Sequence, residues 1–400
     1  MIQKEGNHMS DKKAISSKLK LNAMGHAYND IYFFIIPLLL PLFREQFQIN
    51  YVQSGLILSI HVALRSIFSL VFGHLGDHYD KRIIIAVGFI FSSILLGGLV
   101  WINNIQTIIA FLLSLAIGVS TFHPLATAIV RENSKASKRG KYISLFSAAG
   151  TAGLVVASIL FGIFVQIWGW KITCLLFSLP GYLLAYAYLK SKKDAKNHKA
   201  EAEKKIKKRY IYLFFISLGF RSLGFWAVLS FLPLYATDYL YLKAEISAWI
   251  ISLFFIGVLS GSLLSSKITD KGQPLFFILF TTFLTTSLIL GITYITKPLI
   301  LIVFIGSIGI LEGIFFPNQN TWLTFVCPVH KQGKMFGISF FVEGLSATIA
   351  PTLYGWIADQ SSLIYAYRFA VIPLLISFIL YVILYVLDSR LNSTLAMKRR

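Results

Sequence analysis

Charge is scarce in this 400-residue chain: 14% of residues are Asp, Glu, Lys or Arg, against 56% hydrophobic. With a mean hydropathy of +0.70, that balance excludes the soluble globular classes and points to helices that face lipid. Cysteine is scarcer still. Cys174 lies inside one apolar run and Cys327 near the end of another, with no metal-like spacing, so neither a disulfide framework nor a zinc site is implied. Also missing are a phosphate-binding loop, a nucleophile elbow and a metal cluster, which removes the enzyme reading, primary ATP-driven pumping and any cofactor. The first twenty residues are polar and lysine-rich, without an apolar core or small-residue cleavage site. The expectation is that no signal peptide is removed and that the first span stays as an anchor. Acidic residues are few, 17 against 37 basic ones, for a net charge of +20. In a soluble protein such an excess suggests nucleic acid; here its placement gives it another meaning.

What is abundant is long apolar runs. They fall at 21–43, 52–75, 83–101, 105–130, 142–167, 172–189, 210–235, 246–264, 275–295, 299–326, 335–357 and 369–387. Each is long enough to cross a hydrocarbon core of about 30 Å as a helix. None has the period-two alternation that a membrane β-barrel needs. The fold class is therefore an all-α membrane protein of twelve transmembrane helices. With the N-terminus in the cytoplasm, 30 of the 37 basic residues fall on cytoplasmic segments. Five lie opposite, Arg44, Lys171, Lys243, Lys297 and Arg368, and two are in mid-span, Arg65 and Arg221. Both termini are expected inside, in a multi-pass protein of the inner (plasma) membrane.

A shift of 193 positions superposes Ser54 on Ser247, Asp77 on Asp270, Pro124 on Pro317, Gly162 on Gly355 and Pro180 on Pro373. The chain then divides into a cytoplasmic tail (1–20), a six-helix half (21–189), a basic cytoplasmic linker (190–209), a second six-helix half (210–387) and a C-terminal tail (388–400). The linker carries ten basic and three acidic residues; it reads as a solvated connector, or as a surface for anionic lipid. Two pseudo-symmetric six-helix bundles, with a substrate site between repeats near mid-membrane, resemble the major facilitator fold.

Ionisable residues within membrane spans are functional candidates, because inserting one costs at least about 2.5–3.5 kcal/mol. Here they are Asp30, Arg65, Arg221, Glu312 and Glu343, joined by His26, His61 and His123. The third, sixth, ninth and twelfth spans, which are outer supports in the major facilitator arrangement, carry none. His26 and Asp30 share a helix face with Asn29 nearby, and His61 and Arg65 share another. An Asp30–Arg65 pair is expected, either as a proton-carrying switch or as a fixed ion pair between the first two spans. Arg221 either grips a substrate anion or neutralises Glu312 or Glu343, the latter placed where it can snorkel or cap. His123, directly before Pro124, either satisfies carbonyls freed at a proline kink or relays protons. Phe225, Trp226 and Trp322 are further candidates for a cavity wall.

Between the second and third spans runs Gly73-His74-Leu75-Gly76-Asp77-His78-Tyr79-Asp80-Lys81-Arg82. Gly73, Leu75, Asp77, Lys81 and Arg82 match the major facilitator loop pattern, with Asp80 in place of its second glycine; Asp270 survives at the equivalent point of the second half. The resemblance implies a gating role for Asp77 against the start of the eleventh span. A turn that only fixes topology is the alternative. His26-x-x-Asn29-Asp30 with Pro37 and Pro41, Phe122-His123-Pro124-x-Ala126, and Ser144-Leu145-Phe146-x-x-x-Gly150-x-x-Gly153 together resemble the fosmidomycin-resistance-type transporters. Leu125 stands where that group often has an acid. The resemblance implies proton-driven export of a drug or small anionic compound by alternating access, and so a role in efflux and antibiotic resistance. Uptake of an anionic metabolite with protons is the competing transport reading, and a non-transporting membrane sensor is the reading from another class. The expected partners are a small-molecule substrate, protons and the lipid bilayer, with no nucleic acid, and the chain is expected to act as a monomer.

Overall fold

The computed structural model describes residues 2–133, 139–191, 208–268, 273–295, 297–326 and 329–397. Among them the chain is a succession of helices: α1 (Ile2–Phe47), α2 (Tyr51–His78), α3 (Lys81–Gly98), α4 (Ile105–Ser120), α5 (Phe122–Glu132) and α6 (Arg139–Lys190). There follow α7 (Lys208–Leu234), α8 (Ala244–Ile268), α9 (Pro274–Ile292), α10 (Pro298–Val326), α11 (Val329–Gln360) and α12 (Leu363–Met397). Ten apolar stretches in this set are long enough to cross a membrane. Three details differ from the run-by-run reading. The fourth run is two helices, α4 and α5, separated at Thr121. The fifth and sixth runs lie in one 52-residue helical tract, α6, broken by the positive φ of Gly169, where glycine carries no Cβ penalty. The seventh run ends in a π-helical turn, Tyr235–Tyr239.

Helix starts repeat along the chain as the punctuation residues do. Tyr51 and Ala244, Lys81 and Pro274, and Ile105 and Pro298 open their helices 193 positions apart. The break at Gly169 likewise corresponds to the gap at Ser362 before α12.

The chain forms two compact units. The first comprises Met1–Phe47 and Ile60–His198. Within it α6 packs on α1 and α3. Tyr32 lies at their meeting point, its hydroxyl 2.8 Å from Ser93 Oγ and 3.3 Å from the Ser178 carbonyl. Gly181 leaves room for that hydroxyl, since a Cβ there would run into both Tyr32 and Ser93. Phe89, Phe122, Phe146 and Tyr188 form a ring cluster beside it.

The second unit comprises Gln48–Ser59 and Lys199–Arg400. Its tightest helix pair is α8 with α10, which meet through Gly257-x-x-x-Gly261 and Gly309-x-x-x-Gly313. A Cβ at any of these four glycines would collide with the opposing backbone. Small residues one turn apart let backbones approach where lipid supplies no hydrophobic drive. The first turn of α2 belongs to this unit too. Asn50 and Gln53 close a reciprocal cap, and the Asp359 carboxylate accepts the Tyr51 and Val52 amides at 2.9 and 2.8 Å. Tyr51 Oη donates to Asp238 at 2.9 Å. Because Asp359 satisfies two otherwise open N–H groups at a positive helix end, Asp359→Ala is expected to cost about 0.5–2 kcal/mol, read as a lower thermal unfolding midpoint of the purified protein.

Candidate functional site

In the first unit, His26, Asp30 and His123 come together. His26 and Asp30 face one way because they are one helical turn apart on α1. His123 reaches them from the first turn of α5. Asp30 Oδ1 lies 3.0 Å from His123 Nε2, and Asp30 Oδ2 lies 3.2 Å from His26 Nε2. The two imidazoles meet edge to face, 4.9 Å between centroids. His26 is also stacked on Phe146 and bonded through Nδ1 to the Phe146 carbonyl at 2.7 Å. Asp30 keeps 19% side-chain exposure, so a proton can reach it. The donor atoms of the three residues lie within 4.8 Å of one another, a spacing a transition metal ion could use. Both carboxylate oxygens are already matched to a histidine, so the cluster is complete as a hydrogen-bonded set.

The geometry constrains where protons sit. A carbonyl only accepts, so the proton of His26 Nδ1 is committed to Phe146. His26 Nε2 facing Asp30 Oδ2 is then a favourable contact only when a proton lies between them, on the imidazole or on the carboxyl. Asp30 Oδ1 meanwhile accepts from His123 Nε2. The cluster is thus built around one transferable proton.

This arrangement corrects one expectation and favours one of the two alternatives for His123. Asp30 does not pair with Arg65, because the two histidines occupy its oxygens. The Arg65 guanidinium instead lies over the Phe33 ring, 4.1 Å from its centroid. His123 serves the carboxylate of Asp30, not the carbonyls of a proline kink. His61 is apart from the cluster: its Nδ1 donates to the Leu112 carbonyl at 2.9 Å, and its Nε2 is buried without a partner. Asn29 is buried, with its amide nitrogen unpartnered.

Gly150 and Gly153 show why the α6 motif matters. A Cβ on Gly150 would lie 2.7 Å from Asp30 Oδ2 and 2.8 Å from His26 Nε2, and one on Gly153 would press on the Ala27 backbone. These glycines bring α6 against the cluster. Gly150→Ala is expected to force the carboxylate and imidazole apart, costing about 1–3 kcal/mol in stability. Proton-driven transport should drop with it, while Gly153→Ala should act on stability alone; thermal unfolding and flux measured together separate the two.

A second polar cluster lies in the second unit. Arg221 on α7 forms a buried ion pair with Glu312 on α10, and its guanidinium covers the Phe315 ring at 3.4 Å. Glu343 on α11 does not face Arg221 as a partner; it accepts from Gln319 Nε2 at 2.7 Å. Arg221 Nε, Glu312 Oε2, Gln319 Oε1 and Tyr381 Oη are buried without partners. Neutralisation of Glu312 is therefore what the geometry gives for Arg221. Of the aromatic candidates, Trp322 is core, stacked on Phe214 at 4.5 Å. Phe225 is buried, and Trp226 is half-buried.

At the loop, Gly73 and Gly76 lie inside the last turns of α2, and the turn itself is made by Tyr79 and Asp80. Gly76 is needed for close approach to Leu125 rather than for the turn. Asp80 caps α3 and binds the Arg82 side chain at 2.7 Å, so the residue that replaced a glycine supplies the cap. Lys81 reaches Glu132 at the end of α5, 2.8 Å away. The side chain of Asp77, all of Asp270, Cys327 and most of the basic linker (192–207) lie outside the described residues. Sequence reasoning missed Phe33, Phe315, Gln319, Tyr381 and Glu132. The first four are uncharged partners that composition does not distinguish, and only Glu132 had a signal, an acid at the end of an apolar span.

The Major Facilitator Superfamily model matches residues 23–351 and again 214–400. The chain belongs to the Major Facilitator Superfamily. It is a multi-pass membrane transporter. Among its curated relatives within this superfamily is the proton-coupled antiporter flippase LtaA of Staphylococcus haemolyticus. The two are 26% identical over 316 residues, covering 76% of this chain and 78% of the relative. The cis,cis-muconate transport protein of Acinetobacter baylyi is 21% identical over 339 residues, covering 80% and 82%. The crystal structure of a bacterial homologue of the human lysosomal transporter Spinster superposes with a TM-score of 0.75 at 15% identity, covering 93% of this chain and 97% of that one. That likeness is one of fold.

Proposed function

We propose that this superfamily member is a proton-coupled secondary active transporter of small organic molecules, working by alternating access, with Asp30, His26 and His123 as its proton site. The observation that carries this reading is the commitment of His26 Nδ1 to the Phe146 carbonyl, which leaves His26 Nε2 and Asp30 Oδ2 sharing a proton across 3.2 Å. The relationship to proton-coupled antiporters supports the same coupling ion.

Twelve crossings are part of the proposal. A 46-residue apolar stretch, Leu145–Lys190, would be about 69 Å long as one straight helix, more than twice a bilayer core. Gly169 divides it into two crossings, and α11, at 32 residues, supplies the last. In this reading residues 21–189 and 210–387 are the two halves, the basic linker and both termini lie in the cytoplasm, and the protein acts as a monomer in the inner membrane. The loop of Gly73, Asp77, Lys81 and Arg82, with Asp270 opposite in the repeat, is the cytoplasmic gate. The motifs on the first, fourth and fifth spans support placement in the fosmidomycin-resistance-type branch, for which proton-driven export competes with uptake of the substrate together with protons.

Overexpression against a panel of antimicrobials and organic anions, with and without a protonophore, tests the activity. Raised tolerance that the protonophore abolishes supports export. Protonophore-sensitive accumulation of a labelled anion supports uptake. An effect on either that ignores the protonophore would end the proton-coupled reading.

A further inference from the structure

Two arginines lie in the membrane spans, and they are not equivalent. Arg221 is spent on Glu312: it is 2% exposed and forms an ion pair with a carboxylate that is itself fully buried. Arg65 has no such partner. No carboxylate lies within ion-pair distance of it among the described residues, and the one acid nearby, Asp30, has both oxygens on histidines. Its contact is the face of Phe33, and it is half-buried, so its donors remain reachable. A guanidinium away from bulk water and without an anion is costly to hold. It is also a planar fork of five donors matched to carboxylate and phosphate oxygens. Stacking on an aromatic face fixes the plane of that fork and leaves its edge open.

We infer that Arg65, stacked on Phe33, is the anchor for an anionic group of the transported molecule, a carboxylate or a phosphate-type oxyanion, and that this anion and the transferable proton bind together. This rests on the reading of His26, Asp30 and His123 as the proton site. Arg65 lies within electrostatic range of all three. The charged or titratable groups facing Asp30 are His26 on α1, His123 on α5, and Arg65 on α2 with His61 a turn away. The adjoining α6 offers the Phe146 carbonyl and Gly150. An anion arriving at Arg65 brings negative charge beside the Asp30 carboxylate and cancels the cation that favours its ionised form. Both effects favour proton uptake, so each ligand tightens the other, as linkage requires. Mutually reinforcing binding of an anion and a proton is the signature of co-transport in one direction.

The full-length protein in lipid nanodiscs provides the test. Tryptophan fluorescence is titrated with cis,cis-muconate, benzoate and methylphosphonate, with benzamide and benzylamine as neutral and cationic controls. At least one anion should bind saturably. Its affinity should rise as the pH falls, by up to about tenfold per pH unit for one linked proton. Arg65→Gln should weaken it about thirtyfold or more, and Arg65→Lys, which keeps the charge without the fork, should recover part of the loss. Asp30→Asn should bind the anion and lose the pH dependence. Binding of benzamide or benzylamine as tight as that of the anions, unchanged binding in Arg65→Gln and Arg65→Lys, or no binding of any of the three anions would overturn the anchor. Anion binding that depends on Arg65 but not on pH would instead remove the proton site and leave the anchor standing.

Discussion

Asp30→Asn is expected to abolish concentrative transport while leaving the protein folded and able to exchange substrate across the membrane. An asparagine preserves the size of the carboxyl and can still accept from His123, so α1 and α5 stay joined. It cannot take or release the proton shared with His26. For one proton per cycle, a pH gradient of one unit supports about tenfold accumulation, equivalent to about 1.4 kcal/mol. In proteoliposomes the wild type should approach that ratio and Asp30→Asn should settle at equal concentrations inside and outside. His123→Gln should fall between them, since the amide keeps a donor to Asp30 Oδ1 but cannot become cationic. Retention of wild-type accumulation by Asp30→Asn would remove the carboxylate from the coupling pathway.

The second large effect concerns stability. Arg221→Gln leaves Glu312 as an unpaired carboxylate at zero exposure, and Glu312→Gln leaves the guanidinium in the same position. Breaking a buried pair from one side costs about 3–5 kcal/mol, because the surviving charge is uncompensated. Either single variant should therefore express poorly or unfold at a much lower temperature. The double variant Arg221→Gln with Glu312→Gln removes both charges and should recover most of the loss. If the pair only fastens α7 to α10, the double variant also transports. Thermal unfolding with parallel flux measurements decides this: a double variant as unstable as either single one would mean that the arginine's contact with Phe315 carries the stability.

Much of this architecture was legible in the sequence because the membrane leaves few alternatives. Apolar runs had to be helices, and a constant 193-residue offset in proline and glycine anticipated helix starts that repeat at the same interval. Where the chain broke its helices was less legible. Gly169 sits in a stretch where the apolar pattern barely pauses, and Thr121 gives no composition signal at all. At the site, the residue types were readable and their partners were not. Helical spacing placed His26 with Asp30, but nothing local says that α5 delivers His123 to the same carboxylate. Opposite charge on neighbouring spans suggested Asp30 with Arg65; tertiary packing instead gave Asp30 two histidines and gave Arg65 an aromatic face. The glycines of α6 and of the α8–α10 pair let backbones and side chains approach, which shows only once the helices are packed.

In the proposed cycle, protons move with the substrate through Asp30, His26 and His123. The most direct measurement places the purified protein in vesicles containing a pH-sensitive dye and applies a gradient of whichever anion binds in the nanodisc titration. The gradient should drive proton flux in the same direction as the anion for the wild type, and none for Asp30→Asn. Anion flux without proton movement, or proton movement that persists in Asp30→Asn, would contradict it.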